Sequence, residues 1–211
     1  MIVRMAERLI LASASPRRAE LLRAAGFEFD VMDGEVDESA RAGETPGEYV
    51  RRLAAEKSAV ASRAARRFQG RERGDESPVL PVIILGADTT VVVDGDILAK
   101  PADDEEAAAM LRRLSGRWHD VLTGISLRCG AAELGRVETT RVRFASLSSA
   151  DIDWYVRSGE GRDKAGAYAI QGLASRFIPR IEGSYTNVVG LPVAAVVELL
   201  PEIRQRTAAT P

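Results

Sequence analysis

The segment Leu9–Arg18, LILASASPRR, constrains the fold most, because an apolar run stops abruptly at two serines, a proline and two adjacent arginines. The run is short enough for a buried strand, and Ser15 followed by Pro16 supplies an N-cap and a first helical turn directly after it. Leu21, Leu22 and Ala25 then recur at helical spacing as far as Gly26, a stop signal just past the helix end. A strand that delivers the chain into a helix mouth is a building unit of α/β proteins, and the unpaired N–H groups there attract anions. Arg17 and Arg18 lie beside that mouth with forked guanidinium groups that match phosphate oxygens. On this segment alone two readings stay open, a solvated arginine pair or an anion site.

The remaining pattern alternates strands and helices without a linker-like break, which predicts a mixed β-sheet flanked by helices in one cleft-bearing unit. Phe27 to Met32 reads as a second strand, followed by an acidic connection containing Glu35, Asp37 and Glu38. Thr45, Pro46 and Glu48 form a capping-box start for a helix expected to reach about Arg67. Residues 69–78 read as an exposed loop, and residues 1–7 and 207–211 as fraying ends of a single domain. Val82 to Leu85 is a buried strand that continues through Thr89 to Val93. A tight turn at Asp94–Gly95 then sends residues 96–100 back antiparallel. Further helices are expected after Asp103, Ser148 and Pro192. A hairpin is expected from Trp118–Arg128 and Arg136–Phe144, joined across Gly130 to Gly135.

Charge balance narrows the partners. Lys and Arg number 29 against 31 Asp and Glu, so a net charge of -2 offers no bulk attraction to nucleic acid and any phosphate recognition must be local. No apolar run approaches the roughly 20 residues that span a bilayer. The single Cys129 cannot form an internal disulfide, and the N-terminus lacks the pattern of a secretory signal, so a cytoplasmic location is expected.

Three residues stand out against their surroundings. Asp88 follows a buried apolar strand, where an unpartnered carboxylate is costly. Counting back from the turn puts Thr89 opposite Lys100, so that Asp88, Thr89 and Lys100 share one end of the hairpin, either as a structural ion pair or as a catalytic group. Lys57 interrupts the helical stripe Val50, Leu53, Val60, Ala64 and Phe68 and must either snorkel outward or meet an anion. The acidic loop and Asp88 together could hold a divalent cation with substrate oxygens. His119 and Cys129, on the same or a neighbouring strand, make only a faint dyad, and Gln171 offers an amide suited to the edge of a nucleobase.

In order along nearly the whole chain, LASASPRR, VDE, AAEK, GADTTV, ILAKP, LSGRWHDVLTG, DKAGAYAIQG and GSYTNVVGLP resemble the Maf family. The resemblance implies an α/β fold with an elongated mixed β-sheet flanked by helices and two lobes around a deep cleft, of the Maf and inosine triphosphatase kind, and release of pyrophosphate from nucleoside triphosphates with Mg²⁺ or Mn²⁺. Carried over residue by residue, it makes Asp88 the proton acceptor and a metal ligand with Glu38. Ser13, Arg17, Arg18, Lys57 and Lys100 become phosphate-contacting positions. Arg17, Thr89 and Gln171 match the subgroup acting on dTTP and UTP, with CTP or modified pyrimidines as further candidates, where a related subgroup has Glu at the position of Gln171. Ala169 stands where the family has Gly, and residues 1–7 and 69–78 exceed its compact pattern. The resemblance also implies a homodimer. Its link to septum formation leaves a second function open, a non-catalytic division regulator that binds nucleotide as a signal and acts through a protein partner.

Overall fold

The computed structural model describes residues 7–69 and 81–208. Most of the expected 69–78 loop and of both chain ends lies outside them. Seven strands form one mixed sheet in the order β2-β1-β3-β5-β6-β7, with β4 paired to β3 off this path. β1 (Arg8–Ala12) runs parallel to β2 (Asp30–Met32) on one side and to β3 (Val82–Val93) on the other. β5 (Trp118–Cys129), β6 (Ala132–Arg143) and β7 (Arg180–Glu182) continue the sheet antiparallel.

The connections explain the layers. α1 (Pro16–Ala24) and the C-terminal helix Val193–Ala208 cover one face, where Leu9, Leu11, Leu22, Leu85, Val196 and Ile203 are at most 1% exposed. Each such aliphatic side chain removed from water contributes roughly 1.5–3 kcal/mol. α2 (Pro46–Gln69) covers the opposite face over Ile10 and Ile84. A second core gathers α3 (Asp104–Leu114), α4 (Ser149–Arg157) and the far ends of β3, β5 and β6 around Leu111, Phe144 and Tyr155. β3 and β5 are long enough to run through both cores, so one sheet carries two lobes.

The strand pairing also opens the cleft. Since β5 occupies one edge of β3 throughout, β1 and β4 (Asp96–Leu98) must share the other edge end to end. β1 pairs Val82–Gly86 and β4 pairs Val91–Val93, which leaves Ala87–Thr90 without a strand partner on that side. The neighbour changes there from parallel to antiparallel, and a crevice at such a switch is where α/β sheets bind ligands.

Several expectations need correction. Asp88 is in the middle of β3, not at a strand end; what ends beside it is β1. The returning strand stops at Leu98, so Thr89 faces Thr123 of β5 rather than Lys100, and Lys100 lies in the following loop. β2 begins at Asp30, and the β5–β6 turn is only Gly130–Ala131, because the ladder closes with Cys129 opposite Ala132. On α2 the buried stripe is Val50, Leu53, Ala54, Lys57, Ser58, Ala61 and Ala65, rotated from the expected one. The cause is close packing. A Cβ on Gly86 would lie 2.2 Å from the Ala54 carbonyl oxygen, and one on Gly124 would lie 2.2 Å from that of Val50. The small face of the helix therefore sits directly on the sheet. Phe68, expected on that stripe, has a side chain outside the described residues.

Candidate active site

A cleft of about 840 Å³ opens at this gap, and its walls include the nine residues to which the family resemblance gives site roles: Ser13, Arg17, Arg18, Glu38, Lys57, Asp88, Thr89, Lys100 and Gln171. The volume is of the order that encloses a small-molecule ligand. They arrive from seven places. Ser13 is in the β1–α1 loop, both arginines are in the first turn of α1, and Glu38 is in the loop before α2. Lys57 comes from α2, Asp88 and Thr89 from β3, Lys100 from the loop after β4, and Gln171 from the segment before a short helical turn at Leu173–Phe177.

The centre of the site is an ammonium between two carboxylates. Lys57 Nζ donates to Asp88 Oδ1 at 2.7 Å and to Glu38 Oε1 at 2.6 Å. Lys57 thus meets anions rather than snorkelling, because the close approach of α2 over Gly86 aims it at β3. Burial pushes the Asp88 pKa above the ordinary value, against the opposing pull of Lys57 and Arg18. Burial acts the same way on Glu38, but there the hydrogen bond and charge of Lys57, with Lys100 and Arg18, bring the net shift below the usual carboxylate range. The Tyr49 hydroxyl donates to the Glu38 carbonyl at 2.9 Å and ties this loop to α2, while burial and the nearby Asp88 and Glu38 charges push the phenol up to about 12. Arg52 fastens the same loop through Glu44 at 2.6 Å and the Ser39 carbonyl at 3.1 Å.

The mouth of α1 differs from its sequence reading in one detail. Ser15 occupies the N-cap position but makes no side-chain cap bond, so no side chain closes the helix mouth. Ser13 acts instead: its hydroxyl oxygen accepts from Ser15 N at 3.2 Å and from Arg18 Nη1 at 3.0 Å, which leaves its own proton to donate. Arg17 stays partly exposed on the cleft wall. Arg18 is buried, and burial, the largest influence, lowers its pKa from the arginine value.

Sequence reasoning missed other cleft residues. Asp163 and Lys164, ion-paired to each other, line the wall, as do Tyr49, Tyr168 and Gly190. The charged pair that opens the DKAGAYAIQG motif was the available signal for the first two. His119, read as part of a faint dyad, is buried in the second core with Nε2 at 2.8 Å from the Tyr168 hydroxyl. Cys129 lies at the opposite end of β5, so the two form no pair.

Glu38 and Asp88 each keep their second carboxylate oxygen without a hydrogen bond among the described residues. Among those residues no group of three or more His, Cys, Asp or Glu converges to hold a metal. Two carboxylates with free oxygens fit a hard cation that takes the rest of its shell from ligand phosphates and water. No helix of the described residues is long and apolar enough to cross a membrane.

Comparison with known proteins agrees with this arrangement. A protein of Hahella chejuensis named dTTP/UTP pyrophosphatase is 51% identical over 197 residues, covering 92% of each chain. One of the same name from Symbiobacterium thermophilum is 52% identical over 196 residues, covering 93% of this chain and 94% of its own. The model of the family described as Maf-like protein matches residues 8–203. With the open edge of β3, the Lys57-centred carboxylate pair and the uncapped helix mouth in one cleft, the chain belongs to the Maf family.

Proposed function

We propose that this chain is a nucleoside triphosphate pyrophosphatase that converts dTTP and UTP to the monophosphate and pyrophosphate. The observation that carries the reading is Asp88: a buried carboxylate with a raised pKa, in a cleft whose other walls carry Arg17, Lys57 and Lys100. A base is most effective when its pKa lies near the working pH, and burial moves Asp88 in that direction. In the reaction, Asp88 takes a proton from water as the water oxygen bonds to the α-phosphorus. The bond from that phosphorus to the bridging oxygen breaks, and pyrophosphate leaves with the electron pair. Ser13, Lys57 and Lys100 offset the charge that grows on the leaving group, Ser13 through its remaining hydroxyl proton, while Arg17 on the cleft wall grips the triphosphate equally before and during the reaction. Arg18 belongs to the same set in the family resemblance. Glu38 and Asp88 would hold Mg²⁺ or Mn²⁺, which supplies charge neutralisation on the triphosphate when bound.

The base is read by Gln171. Gln171, exposed on the rim, carries an amide that both donates and accepts, which suits the adjacent carbonyl and imide N–H of uracil and thymine. The same reading places the protein in the cytoplasm, as a homodimer, with a nucleotide as its small-molecule partner and neither nucleic acid nor membrane.

The test is pyrophosphate release from a panel of pyrimidine and purine triphosphates with added Mg²⁺ or Mn²⁺. Wild type is expected to turn over dTTP and UTP ahead of GTP. Asp88→Asn is expected to lose turnover by about 10²-fold or more while retaining its fold and nucleotide binding. Nucleotide binding without pyrophosphate release by wild type would overturn the proposal.

A further inference from the structure

We propose that Arg18 and Thr89 are positioning residues, which act on the reaction by fixing the backbone that carries Asp88 rather than by touching the nucleotide. The inference deepens the pyrophosphatase reading and rests on it.

The guanidinium of Arg18 makes four hydrogen bonds inside the protein. Arg18 is 9% exposed and donates from Nε to the Gly190 carbonyl at 2.8 Å and from Nη1 to Ser13 Oγ at 3.0 Å. It also donates from Nη1 to the Ala87 carbonyl at 2.9 Å and from Nη2 to Thr89 Oγ1 at 3.0 Å. A guanidinium has five N–H groups, so a single one remains. A two-point grip on phosphate, which the paired arginines suggested, is therefore open to Arg17 and not to Arg18.

Two of these acceptors flank the base. Ala87 precedes Asp88 and Thr89 follows it, and both lie on the stretch of β3 that neither β1 nor β4 covers. On the other edge Asp88 is held by the ladder to Gly124. Arg18 thus supplies, from a helix, the donor to the Ala87 carbonyl that a neighbouring strand would otherwise have supplied, holds the Thr89 side chain as well, and ties both to the α1 mouth and to the Gly190 loop. An uncovered strand edge next to a cleft is free to shift, and a displacement near 1 Å of a reacting group costs on the order of 10²-fold in rate.

Thr89 belongs to the same clamp. Its hydroxyl accepts from Arg18 and lies 2.9 Å from Thr123 Oγ1 and 3.2 Å from the Gly190 carbonyl. Three protein partners surround this one hydroxyl. The family pattern groups Thr89 with residues that choose the base, yet its polar atom is directed into the protein.

Steady-state kinetics of full-length Arg18→Lys, Thr89→Val and Thr89→Ser with dTTP, UTP and CTP distinguish the roles, with Arg17→Lys as the comparison. Arg18→Lys keeps the charge but cannot reach four acceptors, and is expected to lower kcat about 30-fold with KM within about threefold. Thr89→Val is expected to lower kcat about 10-fold by the same factor for all three nucleotides, and Thr89→Ser to restore it. Arg17→Lys is expected to act mainly on KM. A raised KM with unchanged kcat in Arg18→Lys would show a phosphate ligand, and a changed nucleotide ranking in Thr89→Val would show a base-reading residue. Either overturns the inference, as do wild-type kinetics in both variants. If Arg18→Lys does not fold, the Thr89 pair decides alone. Absence of pyrophosphate release from wild type overturns the function itself, whereas loss of the kcat pattern with wild type active overturns only the clamp.

Discussion

Lys57 brings a charge into a helix face that is otherwise aliphatic or small, and the two carboxylates it meets stabilise it there. Both members of the Lys57–Asp88 pair have side chains about a tenth exposed (11% and 10%), so solvent screens the pair weakly. Removing one partner from such a pair leaves an uncompensated buried charge. Lys57→Met is therefore expected to cost about 3 kcal/mol of unfolding free energy in urea at pH 7.5, and to abolish pyrophosphate release. Retained stability would show that Asp88 simply takes up a proton when its partner is lost. The oddity of Lys57 was legible from helical spacing alone. Its partner was not, because Asp88 is 31 residues away along the chain.

At the scale of elements, the decisive contact is α2 on β3 and β5. A Cβ at residue 86 would sit 2.8 Å from Ser58 N as well as 2.2 Å from the Ala54 carbonyl oxygen, and both are backbone atoms that no rotamer change can move. Gly86→Ala is expected to cost roughly 1–3 kcal/mol and to lower kcat, because the helix turn that must retreat also carries Lys57. Gly47, in the first turn of the same helix, has nothing within 4 Å of the corresponding position, and Gly47→Ala is expected to be neutral or slightly stabilising. Thermal melts and pyrophosphate release of the two variants, side by side, check the contrast. The helix itself was legible in Thr45, Pro46 and Glu48: the Glu48 carboxylate accepts from Thr45 N at 2.9 Å, and the Thr45 hydroxyl accepts from Glu48 N at 3.3 Å. Which side faced the sheet was not. Periodicity favours the larger apolar residues, whereas here the glycines of the sheet select the small ones.

For the molecule as a whole, His119 sets a pH window. It is 3% exposed and burial lowers its pKa from 6.5 to about 4, so folding favours the neutral ring. The unfolded chain binds the proton more readily, and the stabilising difference is present above pH 6.5 and lost as pH falls toward about 4, amounting to about 3 kcal/mol in all. Most shifted carboxylates, such as Glu38 and Asp94, are lowered and lose their contribution only below their unfolded values. The raised pKa of Asp88 works in the opposite sense, favouring the folded state as it protonates. Urea midpoints between pH 6.5 and 4.5 are expected to fall for wild type and to fall far less for His119→Gln, which presents a neutral polar group to Tyr168. Parallel decline in both proteins would assign the acid sensitivity elsewhere.

The sequence by itself determined the element types, their caps and the residues that make chemistry possible, since these depend on local spacing: Ser15–Pro16 starts a helix, Asp94–Gly95 turns a hairpin, and Thr45 with Glu48 begins α2. It also determined which charged residues were out of place. The tertiary structure alone decided where each charge is directed. β1 and β4 meet end to end along β3, so Asp88 faces a gap in mid-strand, and the glycines under α2 bring Lys57 onto it. The adjacent arginines of LASASPRR look equivalent as letters; the depth at which α1 packs leaves Arg17 on the cleft wall and draws Arg18 into the protein, where four carbonyl and hydroxyl oxygens from three chain segments take its N–H groups.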